Sequence, residues 1–137
     1  MRAFSLNGIG ISLGIDIVDL REFERVVSEP GAAELIFTPA ELGECVGRIE
    51  SLGGRFAAKE AVSKAMRTDL KDIDLHELQV LTGGVGAPIA TVDGDLESRL
   101  ALSGAEHLGV SITHKSGYAI ALAWLVTEDE RTGSIDG

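Results

Sequence analysis

One cysteine, Cys45, occurs in the 137 residues, so an internal disulfide is excluded. Sitting in no metal-like cluster, it reads as an ordinary buried thiol. No apolar run reaches the length of a membrane span, and the first residues lack the charged, apolar and cleavable layout of a signal peptide. Internal repeats and low-complexity segments are absent as well. Positive charge is scarce: 12 Lys and Arg stand against 22 Asp and Glu, a net charge of -10. That balance disfavours general binding of nucleic acid or of an anionic membrane. A cytoplasmic protein with neither as partner is the expectation.

What is present suffices for one compact domain, since 45% of the residues are hydrophobic and need no disulfide or metal to build a core. The cations are unevenly placed. Arg48, Arg55, Lys59, Lys64, Arg67 and Lys71, half of all Lys and Arg, fall in one stretch. A basic island on an acidic chain points to a small anionic ligand.

The expected organisation is a short lead over 1–8, a domain over 9–126 and a polar tail over 127–137. Ile9, Ile11, Leu13, Ile15 and Ile17 alternate with Gly10, Ser12, Gly14 and Asp16, the period of a strand with one buried face. Leu20, Phe23 and Val27 have helical spacing. Thr38-Pro39-Ala40-Glu41 is a helix start, with a capping threonine, proline at the first position and glutamate three residues on. Strands follow over 75–81 and 88–92, joined by the glycine-rich 82–87. A helix carrying Leu96, Leu100 and Leu108 leads to a hairpin of 110–114 and 118–126, with Trp124 in its core. His76 and His107 read as structural or surface residues. The order β-α-α-α-β-β-α-β-β indicates α+β rather than a doubly wound parallel sheet.

The stretch from Gly54 to Met66 is the most informative. No proline interrupts it, and Ala57, Ala61 and Ala65 form a thin ridge on which a neighbour can pack closely. Arg55 with Lys59, and Glu60 with Lys64, form two further rows. On its own the stretch admits two readings. One is a solvated helix face with an ordinary Glu-to-Lys pair. The other is a carboxylate that helps hold a divalent ion, one turn from an ammonium that meets phosphate oxygens. Asp16 at a strand end and His114 at another could converge on it, giving a plausible Mg²⁺ and phosphate site.

Four segments, in order, carry a resemblance: Gly14-Ile15-Asp16-Ile17-Val18; Phe37-Thr38 then Glu41; Arg55-Phe56-Ala57-Ala58-Lys59-Glu60-Ala61 with Lys64-Ala65; and Ser111-Ile112-Thr113-His114. The chain resembles the holo-acyl-carrier-protein synthases, the small trimeric class of 4′-phosphopantetheinyl transferases, from about Gly8 to Val126. The resemblance implies a single-domain fold with antiparallel strands packed on a long helix. It implies transfer of the phosphopantetheine arm of coenzyme A to a serine of an acyl carrier protein of fatty-acid or polyketide type, releasing 3′,5′-ADP. Asp16 and Glu60 would be the Mg²⁺ ligands, with Asp16, Glu60 and Lys64 catalytic. Lys64, His114, Thr113, Pro88 and Arg55 would bind coenzyme A, and Arg21 and Arg25 the carrier. The site would lie between subunits of a homotrimer. Three positions depart from the pattern: Arg67 replaces a common glycine, and Ala87 and Glu22 replace common basic residues. Two rival readings are a non-catalytic homologue that binds carriers or assembles with other proteins, and another nucleotide-binding enzyme using the same carboxylates.

Overall fold

A computed structural model describes residues 9–128; the lead over 1–8 and the tail beyond Glu128 lie outside the described residues. The chain opens with strand β1 (Ile9–Asp19), then three short helices, α1 (Leu20–Val27), α2 (Ala32–Ile36) and α3 (Pro39–Glu44). The long helix α4 (Ile49–Ala65) follows, then strands β2 (Leu78–Thr82) and β3 (Pro88–Val92), helix α5 (Gly94–Leu102), and strands β4 (Ala105–Lys115) and β5 (Tyr118–Glu128). The sheet order is β1-β5-β4, antiparallel throughout, and β2 and β3 form a separate antiparallel hairpin. The α+β expectation holds. Within the described residues no helix is long and apolar enough to cross a membrane.

Local sequence explains the elements. The Asp19 carboxylate caps α1 by accepting from the Arg21 and Glu22 nitrogens. Thr38 and Glu41 complete the capping box that starts α3. Leu108 belongs to β4 and not to α5: the helix stops at Leu102, and Gly104 supplies a left-handed turn (φ 82°). Leu75–Glu77 forms a 3₁₀ turn, so β2 starts three residues later than its apolar pattern suggests.

Helix α4 lies across β1 and β5. Its ridge of Ala57, Ala61 and Ala65 is buried, as are Ala119, Ala121 and Ala123 of β5. The approach is closest at Gly14. A Cβ there would overlap the Ala61 carbonyl oxygen and come within 2.7 Å of the Ala65 nitrogen, so only glycine fits.

This contact reverses the expected burial of β1. The face carrying Gly14, Asp16 and Val18 meets the helix, whereas Ile11, Leu13, Ile15 and Ile17 are 59% to 63% exposed. Period-two alternation separates two faces but does not say which one meets the chain's own helix. Small residues permit the close approach; isoleucines would hold the helix off. Trp124 is likewise half-buried, paired with Leu13 and set over Gly109 on the face away from α4.

Candidate active site

The crossing of β1 and α4 gathers ionisable groups. Asp16 faces the helix and is 9% exposed. The Lys64 ammonium, one turn beyond Glu60, donates to Asp16 Oδ1 at 2.8 Å and to the Ile15 carbonyl at 3.2 Å. Asp16 holds the lysine pKa above its ordinary value, chiefly through that hydrogen bond. Glu60 lies against the same aspartate. Burial first, then the hydrogen bonding and charge of Asp16, push its pKa up to about 7, while Lys64 pulls the other way.

Asp16 Oδ2 is buried and has no hydrogen-bond partner. An ionised carboxylate oxygen in that state is costly. Two species relieve it: a proton on the neighbouring Glu60, or a cation between the two groups. Two carboxylates with one unshared oxygen suit Mg²⁺, which keeps waters and substrate phosphates in its remaining positions. No cluster of three or more His, Cys, Asp or Glu able to hold a metal occurs among the described residues, so the protein alone offers no cage. Glu60 also opens onto a groove of about 280 Å³ between α1 and α4, lined by Ile17, Phe23, Val26 and Phe56. The stacked Phe23 and Phe56 rings form part of its wall.

The other expected residues lie elsewhere in the same chain. His114 Nε2 is 2.8 Å from the Glu50 carbonyl, near the start of α4, and the absent side chain of Gly54 leaves it room. Glu50 and Lys64 are 14 residues apart, about 21 Å along a helix. Thr113 is exposed on the sheet face opposite α4. Arg55 is turned away from Glu60 by about 140° around the helix, at 100° per residue. Its guanidinium is nearly buried, donating to the Val80 and Ser51 carbonyls, to Thr82 and to the Glu44 carboxylate. Pro88 pairs with that same Thr82. Arg21 and Arg25 are exposed on α1 and line a surface hollow with Glu24, Ser28 and Glu29.

The row of Arg55 and Lys59 is therefore not a solvated face. Lys59 is fully buried and donates to the Glu41 carboxylate at 2.7 Å and to the Ile36 and Leu75 carbonyls. Burial lowers its pKa while Glu41 opposes the shift. Glu41 in turn accepts from the Thr38 and Val80 nitrogens. Both acidic partners escaped the sequence reading because they lie 11 and 18 residues away, outside any helical spacing. The capping box marked Glu41 without marking its second role.

Comparison with known proteins bears on the family and the fold. A profile of the 4′-phosphopantetheinyl transferase superfamily matches residues 12–123. A holo-[acyl-carrier-protein] synthase of Dehalococcoides mccartyi is 37% identical over 111 residues, covering 80% of this chain and 92% of the relative. The fold matches the Chronobacterium ammoniagenes ACPS–CoA complex with a TM-score of 0.79 at 30% identity, over 87% of this chain and 98% of that one. It matches the Helicobacter pylori holo-[acyl-carrier-protein] synthase in complex with coenzyme A with a TM-score of 0.74 at 28% identity, over 82% and 98%. With the family profile spanning nearly the whole described domain, this chain belongs to the holo-[acyl-carrier-protein] synthase family of 4′-phosphopantetheinyl transferases.

Proposed function

We propose that the protein transfers the 4′-phosphopantetheine arm of coenzyme A to a serine of an acyl carrier protein, releasing 3′,5′-ADP. The observation that carries this is the Asp16–Glu60–Lys64 set in a chain of this family. Asp16 and Glu60 would hold Mg²⁺. Bound there, the ion would neutralise charge on the pyrophosphate of coenzyme A. Lys64, its side chain 55% exposed, is free to swing from Asp16 to a phosphate oxygen as charge moves to the leaving group. The serine oxygen forms a bond to phosphorus while the bond to the 3′,5′-ADP oxygen breaks. The serine proton goes to Glu60, which lies beside Asp16 and opens onto the groove between α1 and α4. Phosphoryl-type transfer needs positioning and charge stabilisation more than a protein nucleophile.

The working unit in this reading is a homotrimer with each site between two subunits. Support comes from the exposed Ile11, Leu13, Ile15 and Ile17, continued by Tyr118 and Leu122 of β5, an apolar sheet face that a partner copy would cover. The separation of Asp16, Glu60 and Lys64 from Arg55, Pro88 and His114 fits the same reading, because a second copy could bring the missing half to each site. Arg21 and Arg25 would meet the acidic carrier near the groove onto which Glu60 opens. A cytoplasmic location would go with this reading, since its substrates are coenzyme A and a carrier protein.

Incubation with coenzyme A, Mg²⁺ and an apo carrier protein, followed by intact mass, tests the reaction. The carrier is expected to gain one phosphopantetheine. Lys64→Ala is expected to lower kcat at saturating coenzyme A by roughly 100-fold, with Lys64→Arg recovering only part, since a planar fork poorly replaces a compact ammonium. An unmodified carrier with the unaltered protein would favour the non-catalytic reading, and unchanged turnover in Lys64→Ala would remove the lysine from the chemistry.

A further inference from the structure

Lys59 and Glu60 are neighbours on α4 that point about 100° apart around the helix. Glu60 opens onto the groove beside α1, while Lys59 is sealed in the core. Every hydrogen of the Lys59 ammonium is used: on Glu41 Oε1 at 2.7 Å, on the Ile36 carbonyl at 2.8 Å and on the Leu75 carbonyl at 2.9 Å. These acceptors belong to α3, to the end of α2 and to the 3₁₀ turn before β2. Glu41 is filled in the same way. Its Oε1 also accepts from the Thr38 nitrogen, and its Oε2 accepts from the Val80 nitrogen of β2.

The pair reaches the groove by two routes. Ile36, whose carbonyl Lys59 holds, lines the groove together with Glu60. The ammonium also lies 5.4 Å from the centre of the Phe37 ring, which packs edge-on against Phe23 at 6.2 Å. Phe23 in turn stacks on Phe56 at 5.4 Å, and both rings line the groove. Lys64 has its own tether, to Asp16 and the Ile15 carbonyl. No protein N–H donates to the Glu60 carboxylate among the described residues, so the α4 backbone sets where it stands. Apolar side chains of similar volume could match the stability of a buried ion pair. They could not match its directional bonds to three separate elements, which hold one point of the helix in place.

We infer that Lys59 and Glu41 are positioning residues: they fix the rotation of α4 at Glu60, and with it the placing of that carboxylate against Asp16 and the groove wall. Neither touches the substrate. The inference rests on the transfer reading, in which Glu60 takes the serine proton.

The test replaces the pair as a unit, Glu41→Leu with Lys59→Met, because either change alone leaves a buried charge and endangers the fold. Leu96→Ala is the control for lost stability, since Leu96 is buried in α5 and lines no part of the groove. With carrier, coenzyme A and Mg²⁺ saturating, kcat of the pair variant is expected to fall roughly 100-fold, the cost of about 1 Å of misplacement. Its KM for coenzyme A is expected to stay within about threefold, because Lys64 keeps its tether. Leu96→Ala is expected to keep kcat within about twofold, even where its urea midpoint is the lower of the two. Independently of turnover, the Asp16 carboxyl-carbon and Phe56 ring resonances of the free chain are expected to move in the pair variant and not in Leu96→Ala. A pair variant with near-normal kcat, a control that loses as much, or unmoved resonances would overturn the inference. Absence of transfer by the unaltered protein would defeat the reaction reading alone, and the resonances would still decide whether the pair positions Glu60.

Discussion

Glu60 sits in a conflict between burial, the adjoining Asp16 and the nearby Lys64, and the conflict has a measurable sign. In the folded chain it keeps its proton up to about pH 7, whereas an unfolded glutamate loses it near 4.5. Between those values the native state binds more protons than the unfolded state, so stability falls as pH rises. The stabilisation from this group is complete below about pH 4.5 and is lost as pH passes through about 7. Denaturant unfolding at pH 5, 6, 7 and 8 is expected to show this decline in the unaltered protein and a flatter profile in Glu60→Gln. Mg²⁺ is expected to reduce the decline, because it stabilises the ionised pair. An identical slope in both proteins would show that another group sets it.

Helix α4 holds the fold together through charges that never reach solvent. Lys59 and Glu41, both fully buried, tie α4 to α3 and to β2, and Lys59 also reaches the end of α2. A buried pair of this kind adds little net stability, yet removing one partner leaves the other charge uncompensated. Glu41→Leu is expected to cost about 3–5 kcal/mol in urea unfolding. Adding Lys59→Met should recover much of that loss, because an apolar pair of similar volume can replace buried ions. Equal destabilisation in the single and double variants would mean that Glu41 acts mainly through the Thr38 and Val80 nitrogens. Gly14→Ala tests the other side of the helix. With backbone atoms in the way of a Cβ, the cost is expected to reach about 3 kcal/mol, at the upper end for overpacking.

At the scale of the whole molecule, the sheet is covered by α4 on one side and presents isoleucines and a leucine on the other. Replacing Leu13 and Ile15 together by glutamate places two charges on that face without touching the residues beneath α4. Light scattering after size exclusion is expected to give a monomer mass for this variant and three times that for the unaltered protein. Circular dichroism should be unchanged. Phosphopantetheine transfer is expected to fall to background, because a lone chain keeps Asp16, Glu60 and Lys64 apart from Arg55, Pro88 and His114. A variant that keeps the unaltered mass would exclude this face as the interface.

The sequence by itself determined the family and most of the elements; the short helix α2 and the place of Leu108 in β4 were not among them. Periodicity, the Thr38–Glu41 cap and the turn residues placed the α+β order, because these signals act between neighbours a few residues apart. Alanines every fourth residue announced the close approach that Gly14 completes. The motif residues Asp16, Glu60 and Lys64 were legible as a group from their resemblance and the spacing of the last two. Only the tertiary structure decided which face of β1 meets the helix and which cations are free. Arg55 and Lys59 look like Lys64 in the sequence, yet two are nearly or fully buried against Glu44 and Glu41, while the third keeps an exposed ammonium beside Asp16. The physical reason is that a charge's role depends on what lies across the fold from it, and in a folded chain those partners come from 11 to 48 residues away.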